Sequence, residues 1–359
     1  MNRPSLAALA AAFLTCTLPG TPASAQDVPA DLRIEAETGR SRAHFPPHRF
    51  FDHQHLRLEI DIPTMAEAKL SARASLTVEA IGSTRSEIFL FAKGPKLTRA
   101  AVKLAGGGET PAAFRETPGG YTISLPTPLN PGERAEVLYD YDLDFSGNTG
   151  NGLTRVAPKD SGGATDTAPM IFSQGQPEEN RRWIPGHDFP NERLSTELIV
   201  TVESGYEVIS NGRLVERTDP SPGRTRFHWR QAQPHPLYLT ALAVGKFVSI
   251  DLMNPPERHA WIMPAGLREK VVNDRGEAIP MRVWLPAGQE EQGWKLYGAT
   301  PAMVAFFNDK LGQPYPWDKY DQIVVRNFPW GGMENVTATI MYEGSLNGER
   351  GDQDDLIAH

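Results

Sequence analysis

The sequence predicts a mainly β chain that opens with an antiparallel sandwich and closes with the start of an α+β part. Two observations carry that expectation. From Phe50 to about Phe145 apolar and polar residues alternate in short runs, broken by turn-rich stretches such as GGGETP and PLNPGE. Half-buried strands joined by hairpins have that pattern. After about Ile250 the alternation gives way to apolar residues three or four apart, the period of a helix.

The first strands are LRLEIDI (residues 56–62), KLSARASLTVEA (69–80), EIFLFA (87–92), YTISL (121–125) and RAEVLYDYDLDF (134–145). Residues 146–169, rich in Gly, Asn, Thr and Asp, carry no core pattern and are expected to form a loop. Strand signals return in TELIVTVESGYEVISNGRL (196–214), RTRFHWRQ (224–231) and PLYLTALAVGKF (236–247), so the β domain runs from residue 26 to about 250. In the remainder, 251–359, MRVWLP reads as a strand. EEQGWKLYGATPAMVAFFNDKLG sets Leu296, Thr300, Met303, Phe307 and Leu311 on one helical face, with Pro301 starting or kinking the helix. DQIVVRNF is a further strand that leads into WGGMEN. The closing DQDDLIAH reads as the first turn of a helix with a carboxylate at its N-cap.

At 359 residues the chain can hold two ordinary domains, and 36 Lys and Arg against 44 Asp and Glu give a net charge of −8. That balance offers no attractive field to nucleic acid or an anionic membrane, so small molecules or peptides are the expected partners. Residues 1–25 differ from the rest: Arg3 gives a positive start, LAALAAAFL (6–14) is apolar but too short to span a bilayer, and Ala23-Ser24-Ala25 has the small-x-small form of a cleavage site. They predict a signal peptide cut after Ala25 and an exported product, periplasmic or extracellular, with no stable membrane insertion after cleavage. Cys16, the single cysteine, falls inside the signal. Lipidation there is the competing reading, and Thr15 suits it poorly. The mature chain would have no disulfide, leaving stability to its core and any bound metal.

Several stretches tempt a functional reading. In HFPPHRFFDHQH, His53 and His55 would share a strand face, and with His44, His48 and Asp52 they could offer metal ligands. No cysteine or H-E-x-x-H spacing supports such a site, and polar residues at a strand entry are the plainer reading. AGGGET has the glycines of a phosphate loop but not its Lys-Ser/Thr ending or following helix, so a hairpin turn is expected. Asn335-Val336-Thr337 matches the glycosylation sequon, a short and weak pattern. In NFPWGGMEN, Gly331 and Gly332 let another backbone come close, and Glu334 could anchor a cation. By residue chemistry alone, a turn and a solvated charge fit as well.

Three stretches taken together carry more. GGMEN (331–335), FSQGQPEENRRWIPGHDFPN (172–191) and LGQPYPWDKYD (311–321) stand in the order and at roughly the spacing of the M1 family of zinc metallo-aminopeptidases, which includes aminopeptidase N and leukotriene A4 hydrolase. YLTALAVGKF (238–247) also resembles the end of that family's N-terminal β domain. The resemblance covers the chain from about Phe50 to its last residue. It implies a saddle-like N-terminal antiparallel sandwich followed by the incomplete start of an α+β, thermolysin-like peptidase domain.

In that family G-x-M-E-N is followed by a helix bearing H-E-x-x-H, and a glutamate on the next helix completes the zinc site. His359, 25 residues after Glu334, resembles the first histidine of the motif. On that expectation the chain supplies one Zn²⁺ ligand and no catalytic base, because the base would stand just after His359. By the same resemblance Glu334 binds the free α-amine of a peptide, while Gly331 and Gly332 lie along the peptide backbone with Met333 and Asn335 beside them. Gln176 matches the second amine-binding position, where members carry Glu or Gln, and Gln174 is close by. A neutral Gln leaves Glu334 as the main counter-charge. Arg182, Trp183, Pro185, Asp188 and Pro190 read as a rigid structural corner, and His187 among them has no metal spacing. The implied function is zinc-dependent removal of N-terminal residues from peptides by the full-length product, with this chain inactive alone. A non-catalytic amine-binding homologue and a member acting on epoxides are the alternatives.

Overall fold

The computed structural model describes residues 47–158 and 168–359. The expected signal peptide, with Arg3, Cys16 and the cleavage site after Ala25, lies outside the described residues, as does His44.

The first strands are β1 (Phe51–Asp61), β2 (Lys69–Ala80), β3 (Arg85–Phe91), β4 (Lys96–Leu104), β5 (Glu109–Pro111), β6 (Phe114–Thr117), β7 (Gly120–Leu129) and β8 (Arg134–Asp144). They are followed by β9 (Gly152–Val156), β10 (Met170–Gln174), β11 (Leu194–Glu203), β12 (Glu207–Ser210), β13 (Arg213–Ser221), β14 (Arg224–His235), β15 (Leu242–Gly245) and β16 (Phe247–Asp251). The last part holds β17 (Met281–Pro286), helices α1 (Glu290–Tyr297) and α2 (Thr300–Leu311), β18 (Tyr320–Val325), β19 (Gly332–Met333), β20 (Ala338–Tyr342) and α3 (Asp354–Ala358).

Among the described residues these strands form an eight-stranded sheet in the order β13-β14-β11-β1-β2-β8-β4-β5 and a three-stranded sheet β3-β7-β6. A four-stranded sheet β12-β15-β10-β9 and a five-stranded sheet β16-β17-β18-β20-β19 complete the set. The sandwich is antiparallel apart from β1 beside β11, a parallel pairing that only a long connection can make. β18 lies parallel to both β17 and β20, and the two helices between β17 and β18 make that connection an α/β crossover.

Period-two alternation explains how the sheets stack. In the four-stranded sheet Ile171, Val208 and Val244 enter the core of the sandwich, while Met170, Phe172, Ile209 and Ala243 face the other way. That second face meets Ile323, Val325 and Ile340 of the five-stranded sheet. Val324 and Met341, on the opposite face of the same strands, pack with Leu296, Tyr297 and Val304 of the helices. The four-stranded sheet is therefore buried on both sides, and only Lys246 separates β15 in that sheet from β16 in the next.

Four local expectations are revised. Part of the expected loop 146–169 is β9, too short to display its alternation although Leu153 and Val156 enter opposite cores. The long helix is two, because Gly298 and Ala299 interrupt it and Pro301 sits in the first turn of α2, where a missing N–H costs nothing. Its expected stripe divides accordingly: Leu296 and Thr300 are buried, while Leu311 is exposed. At the chain's end the N-cap of α3 is Gln353, and Asp354 and Asp355 occupy the first turn instead. Finally, the β1–β2 register shifts between His53 and His55, so His53 points inward and His55 outward and they share no face. AGGGET is the expected turn, between β4 and β5. No helix of the described residues is long and apolar enough to cross a membrane.

Candidate amine-binding site

The glycine pair and the residues after it build one hairpin. β19 runs antiparallel to β20, with Gly332 opposite Met341 and Met333 opposite Ile340, so residues 334–337 form the connecting loop. Met333 is 1 % exposed and its side chain belongs to the core between the four- and five-stranded sheets, whereas Glu334 is exposed. The glycines answer a packing demand. A Cβ on Gly331 would lie 2.9 Å from Leu356 Cδ1 of α3, and one on Gly332 would lie 3.0 Å from Met341 Sδ and 3.3 Å from the Ile340 carbonyl.

A cavity of about 270 Å³ opens beside this hairpin. Met303 and Phe307 of α2 form part of its apolar wall, and Gly332, Met333, Glu334, Asn335 and His359 lie on its rim or wall as well. Asn335 is 2 % exposed, and neither atom of its side-chain amide has a hydrogen-bond partner among the described residues. So buried an amide cannot carry a glycan in the folded chain. Gly331, Gln174 and Gln176 are not part of this wall.

The two glutamines approach from the sandwich. Gln174 ends β10, is 2 % exposed, and accepts a hydrogen bond from the Gln176 N–H at 3.4 Å, while Gln176 is exposed. Between them Gly175 is pressed against the turn at 237–239: a Cβ there would fall 2.2 Å from the Tyr238 carbonyl oxygen. Burial pushes the Tyr238 phenol above its ordinary pKa, and the negative charge of Glu334 pushes it further. Tyr238 thus meets the 174–176 turn through its backbone and the field of Glu334 through its phenol.

His359 follows α3, is exposed, and lines the same cavity as Glu334. Among the described residues no group of three His, Cys, Asp or Glu side chains could hold a metal ion. A catalytic zinc needs three protein ligands. His359 alone does not fit that requirement, and no step through zinc follows from these residues.

The block 181–190 forms a corner away from the cavity. The Tyr139 and Tyr141 hydroxyls donate to the carbonyls of Pro185 and Trp183, both at 2.6 Å, and Trp183 Nε1 donates to Asn180 Oδ1 at 2.7 Å. Asp188 accepts the Arg181 N–H at 2.8 Å, and Arg182 pairs with Glu179. The Arg181 guanidinium lies 4.7 Å from the ring centres of both Phe91 and Phe189. Pro185 is buried and Pro190 exposed. His187 stands edge-on to His53 with ring centres 5.8 Å apart, and its Nε2 meets Asn191 Oδ1 at 2.9 Å.

Residues that the sequence does not mark as functional join the sandwich to this hairpin. Asn211 and Gly212 bond to Val336 and Thr337 in the loop after Glu334. Lys319 and Asp321 form a buried ion pair at 2.7 Å beneath it. The Asn-Gly pair within EVISNGRL was a turn signal that could have marked the first two. Lys319 and Asp321 fall within the family-like stretch LGQPYPWDKYD, but nothing in it marked them as a buried ion pair.

Comparison with known proteins places the chain's sequence and fold in a family. The family profile described as "Peptidase M1 N-terminal domain" matches residues 50–239, and "Peptidase family M1 domain" matches 296–355. Aminopeptidase B from Homo sapiens is 28% identical over 236 residues, which are 66% of this chain and 31% of that protein. Leukotriene A-4 hydrolase from Xenopus laevis is 27% identical over 315 residues, 85% of this chain and 45% of that protein. The chain spans less than half the length of either relative. An M1 zinc metallopeptidase from Deinococcus radiodurans, 23% identical, shares the fold with a TM-score of 0.63 over 84% of this chain and 62% of its own. A second structure of that enzyme holds a Tyr-Ser-Ala substrate, with the same TM-score of 0.63, 23% identity, and 83% of this chain and 62% of that one covered.

Proposed function

The chain belongs to peptidase family M1, and on that premise we propose that it is the amine-recognising part of a zinc-dependent aminopeptidase acting on peptides with a free N-terminus. The observation that carries the reading is Glu334, an exposed carboxylate on the rim of a largely apolar cavity. A carboxylate there suits a protonated α-amine, because a charge-assisted hydrogen bond is shorter and stronger than a neutral one. The cavity then suits an apolar side chain or backbone held beside that amine. Two further features support it. Asn335, buried and lining the cavity next to Glu334, keeps the loop that carries the carboxylate packed against that wall. Gln176, exposed on the turn against Tyr238, offers a neutral second partner without adding charge.

Peptide hydrolysis by the whole enzyme needs the zinc that M1 enzymes use. With His359 as the one candidate ligand among the described residues, recognition is the activity proposed for residues 1–359 on their own. Binding without turnover is therefore the reading favoured for the isolated polypeptide. The test compares L-leucinamide with isocaproamide, its des-amino analogue, by calorimetric titration of the 359-residue chain. Wild type should prefer the amine, and Glu334→Gln should reduce that preference by about tenfold or more, the worth of one charge-assisted bond. Equal preference in both proteins would refute the assignment.

A further inference from the structure

Two buried asparagines hold the segment 237–241. Asn180 Nδ2 donates to the Leu237 and Thr240 carbonyls at 2.7 and 3.0 Å, while its Oδ1 accepts from Trp183. Asn180 also ends the 174–180 stretch, since a Cβ on Gly175 would stand 2.7 Å from its Oδ1. Asn211, 2 % exposed, bonds the same segment: its Oδ1 accepts the Ala241 N–H at 2.6 Å, and its Nδ2 donates to the Leu239 carbonyl at 3.0 Å. The same Nδ2 donates to the Val336 carbonyl, in the loop that begins with Glu334. Next to it the Gly212 N–H donates to Thr337 Oγ1 at 2.6 Å. Thr337 has a φ of 64°, a left-handed conformation that a β-branched residue adopts only when its surroundings fix it.

We propose that Asn211 is a positioning residue for α-amine recognition, fixing the loop that carries Glu334 against the segment on which the Gln174 and Gln176 turn rests. This rests on the reading of Glu334 as the amine partner. A planar side-chain amide suits the task because it can accept once and donate twice in fixed directions. All three of its bonds here are to backbone, so it reads no local sequence and sets only the relative place of two main-chain segments. Removing it frees the 334–337 loop on the side that faces the sandwich. The amine contact then has to form against a mobile carboxylate, and part of its advantage is lost to ordering.

The test uses the full 359-residue chain and the same pair of ligands, L-leucinamide and isocaproamide. Asn211→Ser is expected to lower the preference for the amine by about tenfold while leaving isocaproamide affinity within about twofold. A general loosening of the cavity would weaken both ligands together. An unchanged amine preference in folded Asn211→Ser overturns the proposal, and so does an equal loss for both ligands. If wild type itself shows no preference that Glu334→Gln removes, the reading of Glu334 fails and takes the proposal with it. Should Asn211→Ser not fold, hydrogen exchange on wild type decides. The Gly212 and Ala241 amides are expected to exchange more slowly when L-leucinamide is bound, because binding disfavours local opening. Unchanged exchange at both amides overturns the proposal.

Discussion

His53 is 5 % exposed, and burial, the neighbouring His187 and the charge of Arg49 together lower its pKa to about 3. Its ordinary value is 6.5, so between pH 6.5 and about 3 the unfolded chain binds a proton that the folded chain refuses. Stability from this group is complete above pH 6.5 and drains away as the pH falls. His235, 0 % exposed and lowered to about 4 by burial, acts with the same sign. Asp188 acts against them: burial raises it to about 7 despite Arg181, so the cost of its charge is relieved on acidification from that pH. His53→Phe isolates one contribution, since a phenyl ring can rest against the His187 ring without titrating. The variant should gain on wild type as the pH falls from 6.5 towards 4, by about 1.4 kcal/mol for each unit of acidification. Denaturant unfolding at several pH values reads the difference, and a gap independent of pH would show that His53 carries no such linkage.

At the scale of elements, the β19–β20 hairpin and α3 are fitted to one another through a missing side chain. Gly331→Ala would bring a methyl group within 2.9 Å of Leu356 Cδ1, the far end of a half-buried side chain that can give way at modest cost. We expect a loss of about 1 kcal/mol, most of which disappears in a Leu356→Ala background. Equal losses in both backgrounds, measured by denaturant unfolding, would mean that the contact does not limit the hairpin. Elements of this kind also show what the sequence could reveal. The long strands β2 and β8 were legible because their inward residues alternate over many positions, and GGMEN was legible because it resembles a family motif. β9 was not, since it has five residues, and neither was the bulge after His53, which shifts register without changing composition. Glu334 could be named from sequence. The bond from Asn211 to the loop after it could not, because that side chain meets backbone 125 residues away.

For the molecule as a whole, the sandwich and the five-stranded sheet meet over an apolar core crossed by one buried charge pair. Lys319 Nζ donates to Asp321 at 2.7 Å and to the Ser210 carbonyl at 2.9 Å, and lies 4.5 Å from the Trp229 ring centre. Trp284 Nε1 also donates to Asp321, at 3.2 Å. Lys319→Met would strand the Asp321 carboxylate at 3 % exposure, which should cost about 3–5 kcal/mol. Adding Asp321→Leu should restore most of that, because an apolar pair needs no counter-charge. Thermal unfolding of the single and double variants checks this, and additive losses would contradict it. The Asp321 N–H donates to the Thr337 carbonyl at 3.0 Å, so the interface that carries the pair also holds the loop after Glu334. The most direct measurement of the proposed amine site is a crystal structure of the 359-residue chain with L-leucinamide. The ligand ammonium should lie within about 3 Å of a Glu334 carboxylate oxygen, with its side chain in the cavity beside α2. An ammonium bound elsewhere, with Glu334 left in solvent, would contradict it.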